Sequence, residues 1–396
     1  MKTKAKSISN RNKNRHSRIN RSNAPTWLWT AATSRNRYRL RRSNSPASGY
    51  DVPMAPRLDV RSLTVELPTT GGWIRPVNDV SFTLAAGETL GIVGESGSGK
   101  TMLALALMGL TPPGARCHGE ARLASRNGAA GAASAGANHR GENLLAMPPA
   151  AMRGIRGREI AMIFQEPMTA LNPVMRIGAQ IEEAIRVHEP RLGSGEIRRR
   201  ALASLQRAAV PEPPQRAHQY PHQLSGGLRQ RAMIAMALAA GPGILIADEP
   251  TTALDVTVQK QILELLARLR RELQLSLLFI THDLGVVAQV ADCIAVMYAG
   301  RIVEEGPVFE VLHRPRHPYT EGLLRAAPRL SREKLVPIPG AVPSLDSLPP
   351  GCAFAPRCGS RTAACDVAMP ALRELNAAHH ARCILVPETA AEQAKP

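Results

Sequence analysis

Residues 94–101, Gly94-Glu95-Ser96-Gly97-Ser98-Gly99-Lys100-Thr101, limit the folds open to this chain more than any other stretch. They match G-x-x-x-x-G-K-[ST], with the apolar run Thr89 to Val93 before them and the helix-forming run Met102 to Leu110 after them. A strand, a glycine-rich loop and a helix in that order predict a phosphate cradle in an α/β fold. The glycines let the backbone curl until its N–H groups and the helix N-terminus point at phosphate oxygens. Lys100 adds a point charge, and Thr101 adds a hydroxyl for Mg²⁺. A plain Gly/Ser turn would lack these flanks.

A second element, Gly243-Ile244-Leu245-Ile246-Ala247-Asp248-Glu249-Pro250, is a short apolar strand that ends in two acids. In a parallel sheet the carboxyl end of a strand faces the ligand crevice. Asp248 then reaches the Mg²⁺ shell and Glu249 polarises the attacking water. Taken alone, two acids after an apolar run also describe a solvated turn; the phosphate loop upstream argues against that. A third element, Leu224-Ser225-Gly226-Gly227, precedes the helical segment Leu228 to Ala240. Ser225, Gly226 and Gly227 at a helix start form a second anion site, although an ordinary serine N-cap explains the four residues equally well. A chain with one complete phosphate loop has use for a second γ-phosphate site only if that site serves a partner's nucleotide.

Together these stretches resemble the ATP-binding subunits of ABC transporters, over roughly Leu58 to Cys383. The resemblance implies a P-loop NTPase: a RecA-like core with an antiparallel β-subdomain and a helical subdomain. It identifies Gln165, in Ile163-Phe164-Gln165-Glu166-Pro167, with the glutamine that senses Mg²⁺ and the membrane partner. Asp255, in Ala253-Leu254-Asp255, falls in the D-loop, and His282, at the end of the apolar run Leu275 to Ile280, matches the switch histidine at the γ-phosphate. It further implies head-to-tail pairs of subunits, with ATP held between the phosphate loop of one and the Ser225 segment of the other. Opening and closing of the pair then drives the membrane subunits between two states.

The family stacks an aromatic ring on adenine upstream of the phosphate loop. Trp73 is the candidate, against a packing role, and its spacing is a few residues late. Leu228 stands where most of the family has glutamine, which resembles the dipeptide and oligopeptide importer branch. The tail carries the same resemblance in His317-Pro318-Tyr319-Thr320, Pro337-Ile338-Pro339-Gly340, and Pro349-Pro350-Gly351-Cys352 through Cys358. Its prolines forbid long helices and predict a loop-rich module lying on the core.

Cys352, Cys358, Cys365 and Cys383 lie in this tail with five, six and seventeen residues between them. An ATPase works in a reducing compartment, so a shared soft-metal ligand is favoured over disulfides. Zn²⁺ and a [4Fe–4S] cluster both suit thiolates, and the spacing does not choose between them. The resemblance favours [4Fe–4S], since some peptide-importer ATPases carry one here; free thiols or disulfides are the third reading. Cys117, read as a loop residue, and Cys293, read as preceding the strand Ile294 to Tyr298, fall outside the set.

The net charge is +18, of which residues 1–53, with 13 Lys and Arg against Asp51 alone, account for +12. That segment lacks a sustained apolar face and reads as a disordered basic extension. A misassigned start, with Met54 as the natural one, is preferred over a transit peptide or a basic arm for nucleic acid or anionic lipid. Residues 54–312 read as the ATPase domain, with a helical subdomain at about 168–240, and residues 313–396 as the importer-type extension. Ala124 to Arg140 reads as a flexible Gly/Ala-rich insertion. No run is long and apolar enough to span a membrane. The expected assembly is therefore two separate permease subunits, a second ATPase (identical or related) and an extracytoplasmic substrate-binding protein. The chain itself is placed at the cytoplasmic face of the inner membrane. The expected activity is Mg²⁺-dependent ATP hydrolysis coupled to di- or oligopeptide import, with nickel, glutathione or a peptide-like antibiotic as alternative cargo. A non-transport ATPase of the superfamily would show a second cassette, a long coiled coil or zinc insertions. No nucleic-acid partner is expected, because +6 beyond the first 53 residues is weak.

Overall fold

The structure, a computed structural model, describes residues 57–124, 141–327, 337–376 and 378–386. The basic extension and nearly all of the Gly/Ala-rich insertion lie outside the described residues. Strands β1 (Leu58–Thr69), β2 (Gly72–Leu84), β3 (Thr89–Val93) and β4 (Arg116–Leu123) open the chain. β1, β2 and β4 make an antiparallel sheet in the order β2-β1-β4. Buried Leu58 and Val60 keep a period of two, but the next buried pair is Leu63 and Val65. The register shift between Val60 and Leu63, with Ser62 at φ 46°, absorbs the extra residue and keeps all four side chains on the core face.

The main sheet adds β5 (Ile160–Ile163), β6 (Ile244–Asp248), β7 (Ser276–Thr281), β8 (Cys293–Tyr298), β9 (Arg301–Pro307), β10 (Arg373–Asn376) and β11 (His379–Ala381). Its order is β10-β11-β9-β8-β3-β7-β6-β5, and the pairs from β8 through β3, β7 and β6 to β5 are parallel. β3, β5, β6 and β7 are buried at every position, which is why they read as unbroken apolar runs. Between β5 and β6 come the helices Ile177–His188, Ser194–Arg207, Pro213–Ala217 and Gly226–Leu238. Ile177, Ile181 and Ile185 on one helix, and Ile197, Ala201 and Leu205 on the next, recur every fourth residue and bury one face each in a common core. Each large apolar side chain there contributes about 1.5–3 kcal/mol.

The tail is loop-rich, as expected, and it also adds two short strands to the main sheet. After the helix Pro318–Ala326, the hairpin β10–β11 joins the edge of the main sheet, with Ala381 opposite Glu304 and His380 opposite Glu305. The tail thus extends the sheet, because β9 would otherwise present an unpaired edge. Glu304 is fully buried and ties three segments together. It accepts from the backbone N–H of Arg316 (2.7 Å) and His317 (2.9 Å), and His379 Nε2 lies 2.8 Å from it. Two cysteine expectations also change: Cys117 lies within β4, and Cys293 is the first residue of β8. Among the described residues no helix is long and apolar enough to cross a membrane.

Candidate active site

β5, β6, β7 and β3 lie side by side, with Ile163 beside Ala247, Asp248 beside Ile280, and Thr281 beside Val93. Their carboxyl ends are therefore level. The chain leaves them into Gln165, Glu249, His282 and the Gly94 loop, so residues spread over nearly 200 positions meet at one sheet edge.

The phosphate loop is held from both sheets. A Cβ on Gly94 would run into the Met297 carbonyl oxygen, and one on Gly99, at φ 104°, into that of Pro76. Only glycine tolerates both constraints at Gly99. Gly97, Ser96 and Ser98 complete the turn, and the helix Lys100–Leu107 follows, burying Leu103, Ala104 and Leu107. Lys100 is buried, and its Nζ donates to the carbonyl oxygens of Gly94 (2.8 Å) and Glu95 (2.9 Å) and approaches Ser98 Oγ at 3.3 Å. Burial lowers its pKa from the ordinary lysine value, and the carboxylates of Glu249, Asp248 and Glu95 oppose that shift. An ammonium held only by neutral oxygens inside a glycine loop has a stronger partner in a phosphate.

Thr101 Oγ1 donates to Asp248 Oδ1 at 3.3 Å. Asp248 is 1% exposed, and its carboxyl is pushed up to about 6, chiefly by burial. Neighbouring Glu249 adds to the shift, while the Thr101 hydrogen bond and Lys100 oppose it. A hydroxyl, a buried carboxylate and the amide oxygen of Gln165 are hard oxygen donors, so this set fits Mg²⁺. Bound there, Mg²⁺ would neutralise phosphate charge.

Glu249 is the hub of the site. Its Oε2 accepts from Thr252 Oγ1 (2.8 Å) and Gln165 Nε2 (3.3 Å), and its Oε1 lies 3.2 Å from His282 Nδ1. Its backbone has φ 46°, uncommon for a non-glycine residue, and is fixed by donation from Glu249 N to Ile280 O at 2.9 Å. Sequence reasoning missed Thr252. The available signal was a hydroxyl three residues beyond the acid, in a turn closed by Thr252 N donating to Glu249 O at 3.1 Å.

Ser225 is the N-cap residue of Gly226–Leu238, yet its side chain makes no capping hydrogen bond, and Ser225 and Gly226 are both exposed. The first turn of a 13-residue helix thus faces solvent with its donors and an uncommitted hydroxyl. Gly227 packs beside Val258, and Leu228 is half-buried against the main core. Asp255 caps the helix Val256–Leu273, accepting from Val258 N at 2.9 Å. Trp73 stands 45% exposed at the start of β2, with the Arg116 guanidinium 4.0 Å over its ring. One face of the ring is thus already covered.

In the tail, Cys352, Cys358, Cys365 and Cys383 line one small cavity together with His317 and Phe354. Burial raises the thiol pKa of Cys352, Cys358 and Cys383. All four cysteines are free, and among the described residues no group of three or more His, Cys, Asp or Glu is arranged to hold a metal. The four thiols thus share one cavity but, among the described residues, are not drawn together as a metal-ligand set. Sequence reasoning also missed a contact between the tail and the phosphate loop: Arg357 and Tyr319 both bond Glu95.

A family model described as ABC transporter matches residues 77–252, and one described as oligopeptide/dipeptide transporter, C-terminal region, matches residues 303–365. A Brucella ovis protein named as a peptide import ATP-binding protein is 50% identical over 351 residues, covering 85% of this chain and 99% of its own. A similarly named Brucella abortus protein is 49% identical over 331 residues, covering 83% and 95%. Among solved structures, a dimeric ATP-binding cassette in a post-hydrolysis state with ADP and Pi is 28% identical, with a TM-score of 0.53. That match covers 63% of this chain and 98% of the cassette. With half-identity over nearly the full length of such relatives, and the loop, paired acids and histidine meeting at one sheet edge, the chain belongs to the oligopeptide/dipeptide branch of the ABC transporter family as an ATP-hydrolysing, ATP-binding subunit.

Proposed function

We propose that this chain hydrolyses ATP to drive uptake of di- or oligopeptides through two separate membrane permease subunits. Its place is at the cytoplasmic membrane face, with an extracytoplasmic binding protein delivering cargo. The relatives' names support the cargo class. The observation that carries the mechanism is Ser225, whose hydroxyl is left unused by its own helix at an exposed N-terminus. In a head-to-tail pair that terminus takes the γ-phosphate bound by the partner's phosphate loop.

Within one site, Lys100 exchanges its loop carbonyls for phosphate oxygens, while Thr101, Asp248 and Gln165 would hold Mg²⁺, which would supply charge neutralisation at the phosphates. Glu249, fixed by Thr252 and Gln165, orients the attacking water and takes its proton. His282 meets the γ-phosphate from the end of β7. Catalysis is thus positioning and charge neutralisation. Residues 54–312 serve as the ATPase domain, 168–240 as its permease-facing helical part, and 313–396 as the extension. Permease complexes in sealed vesicles, given ATP and a labelled dipeptide or tetrapeptide, test the cargo. ATP-dependent peptide uptake is expected; uptake of nickel or glutathione without peptide would overturn it.

For the tail we propose a soft-metal site at the four cysteines, [4Fe–4S] before Zn²⁺, supported by their convergence on one cavity. Anaerobically purified chain should be brown and contain iron. Stoichiometric zinc would replace the cluster reading, and a metal-free protein would end both.

A further inference from the structure

Glu95 is the second residue of the phosphate loop, and it is held on three sides. Its carbonyl oxygen accepts from Lys100 Nζ at 2.9 Å. Its N–H donates to Tyr319 Oη at 2.8 Å. Its carboxylate takes both arms of the Arg357 guanidinium, Nη1 to Oε2 at 2.7 Å and Nη2 to Oε1 at 3.0 Å. Only the first of these partners belongs to the loop. Tyr319 and Arg357 come from the tail, and Arg357 lies 262 residues away along the chain.

The Arg357 side chain is 4% exposed and is itself fixed: Nε donates to Pro339 O at 2.9 Å, and Nη1 lies 3.4 Å from Tyr298 Oη. It sits in the single turn Ala355–Arg357. Tyr298, Tyr319 and Phe354 pack ring against ring beside it, with centroids 4.5–5.4 Å apart. A bidentate arginine on a rigid aromatic base fixes both the distance and the plane of the carboxylate. Glu95 is also an anion beside the place where a triphosphate must lie. Left unpaired, it would repel the nucleotide and be free to rotate toward Lys100, which sits on the same loop.

We propose that Arg357 is a positioning residue for ATP binding and hydrolysis. With Tyr319 it locks Glu95, so that the tail sets the shape of the phosphate loop and cancels the carboxylate charge facing the nucleotide. This rests on the ATPase reading, and Arg357 itself touches no phosphate. The tail is then part of the nucleotide site, and a chain cut before residue 318 loses both tail partners of Glu95.

The test uses the full-length chain and compares wild type with Arg357→Met, Arg357→Lys, Tyr319→Phe and Lys100→Ala. Fluorescent-ATP binding, KM and kcat for ATP, and thermal midpoint are measured for each. Arg357→Met should weaken ATP binding and raise KM by about tenfold, as expected when one partner of a charged pair is removed, with a smaller change in kcat. Arg357→Lys keeps the charge but not the fork and should recover only part of the loss. Tyr319→Phe keeps the ring packing, so it folds even if Arg357→Met does not, and should raise KM about threefold for one lost hydrogen bond. Variants that bind ATP like wild type while melting at lower temperature would show that the contact merely anchors the tail, and would overturn the proposal. Lys100→Ala separates the two readings: if wild type hydrolyses ATP and Lys100→Ala does not, the ATPase assignment stands whatever Arg357 does.

Discussion

His282 Nδ1 lies 3.2 Å from Glu249 Oε1, so the imidazole leaving β7 and the carboxylate leaving β6 face each other across adjacent parallel strands. The same carboxylate holds Thr252 and Gln165 through Oε2, and both of its oxygens are therefore directed before any substrate arrives.

Glu249→Gln keeps the shape of this hub and removes its basicity. Hydrolysis should fall by about 10²–10⁴-fold, the usual worth of a general base, with ATP binding kept. Phosphate release and nucleotide titration check this. Near-normal turnover would remove Glu249 from the role.

Ser225→Ala removes a hydroxyl that makes no capping bond in its own helix. Stability should change by no more than about 0.5 kcal/mol, against about 1 kcal/mol for loss of a working cap. Hydrolysis should nevertheless fall in the opposite site of a mixed dimer. A dimer that pairs Ser225→Ala chains with Lys100→Ala chains places both lesions in one composite site, and should keep more activity than either parent. Equal loss throughout would contradict the head-to-tail arrangement.

Gly99→Ala must place a Cβ at φ 104° against the Pro76 carbonyl. The strain of such a backbone alone is about 1–3 kcal/mol, and the loop must shift to relieve the contact. Weaker ATP binding together with a lower melting temperature is expected. A variant that binds ATP and melts like wild type would mean that the loop tolerates a side chain there.

Burial pushes His317 down to about 4, and the Glu304 carboxylate opposes the shift. The ring is 1% exposed, and its Nδ1 accepts the Tyr319 N–H at 3.1 Å, which requires the neutral form. Unfolded histidine titrates near ~6.5, so between these values the unfolded chain binds the extra proton. The stability that His317 supplies is therefore present above about 6.5 and is lost as pH falls through about 4, a change on the order of 3 kcal/mol. Denaturant midpoints across this range should fall more steeply for wild type than for His317→Gln. Parallel slopes would show that His317 does not carry the acid sensitivity.

The phosphate loop, the strand ending in Asp248 and Glu249, and the Ser225 helix were legible because each is local. A strand buried on both faces must be apolar throughout, a phosphate turn must be glycine, and a helix start shows its first residues. Thr252 was missed because hydroxyls in turns are common. Trp73 was weighed as an adenine partner against a packing role because it is the aromatic near the loop, and only the structure shows the Arg116 guanidinium over its ring.

By itself, then, the sequence determined the local elements of the site: a glycine loop between a strand and a helix, an apolar strand ending in two acids, and a serine at a helix start, since each demands particular residues at a fixed local spacing. Only the tertiary structure decided that the tail bonds the phosphate loop. The Arg357 contact with Glu95 spans 262 residues and leaves no periodic trace in either segment. The rings of Tyr298, Tyr319 and Phe354, from three separate segments, pack on one another beside the Arg357 guanidinium, and that packing seats a buried charge against the phosphate loop.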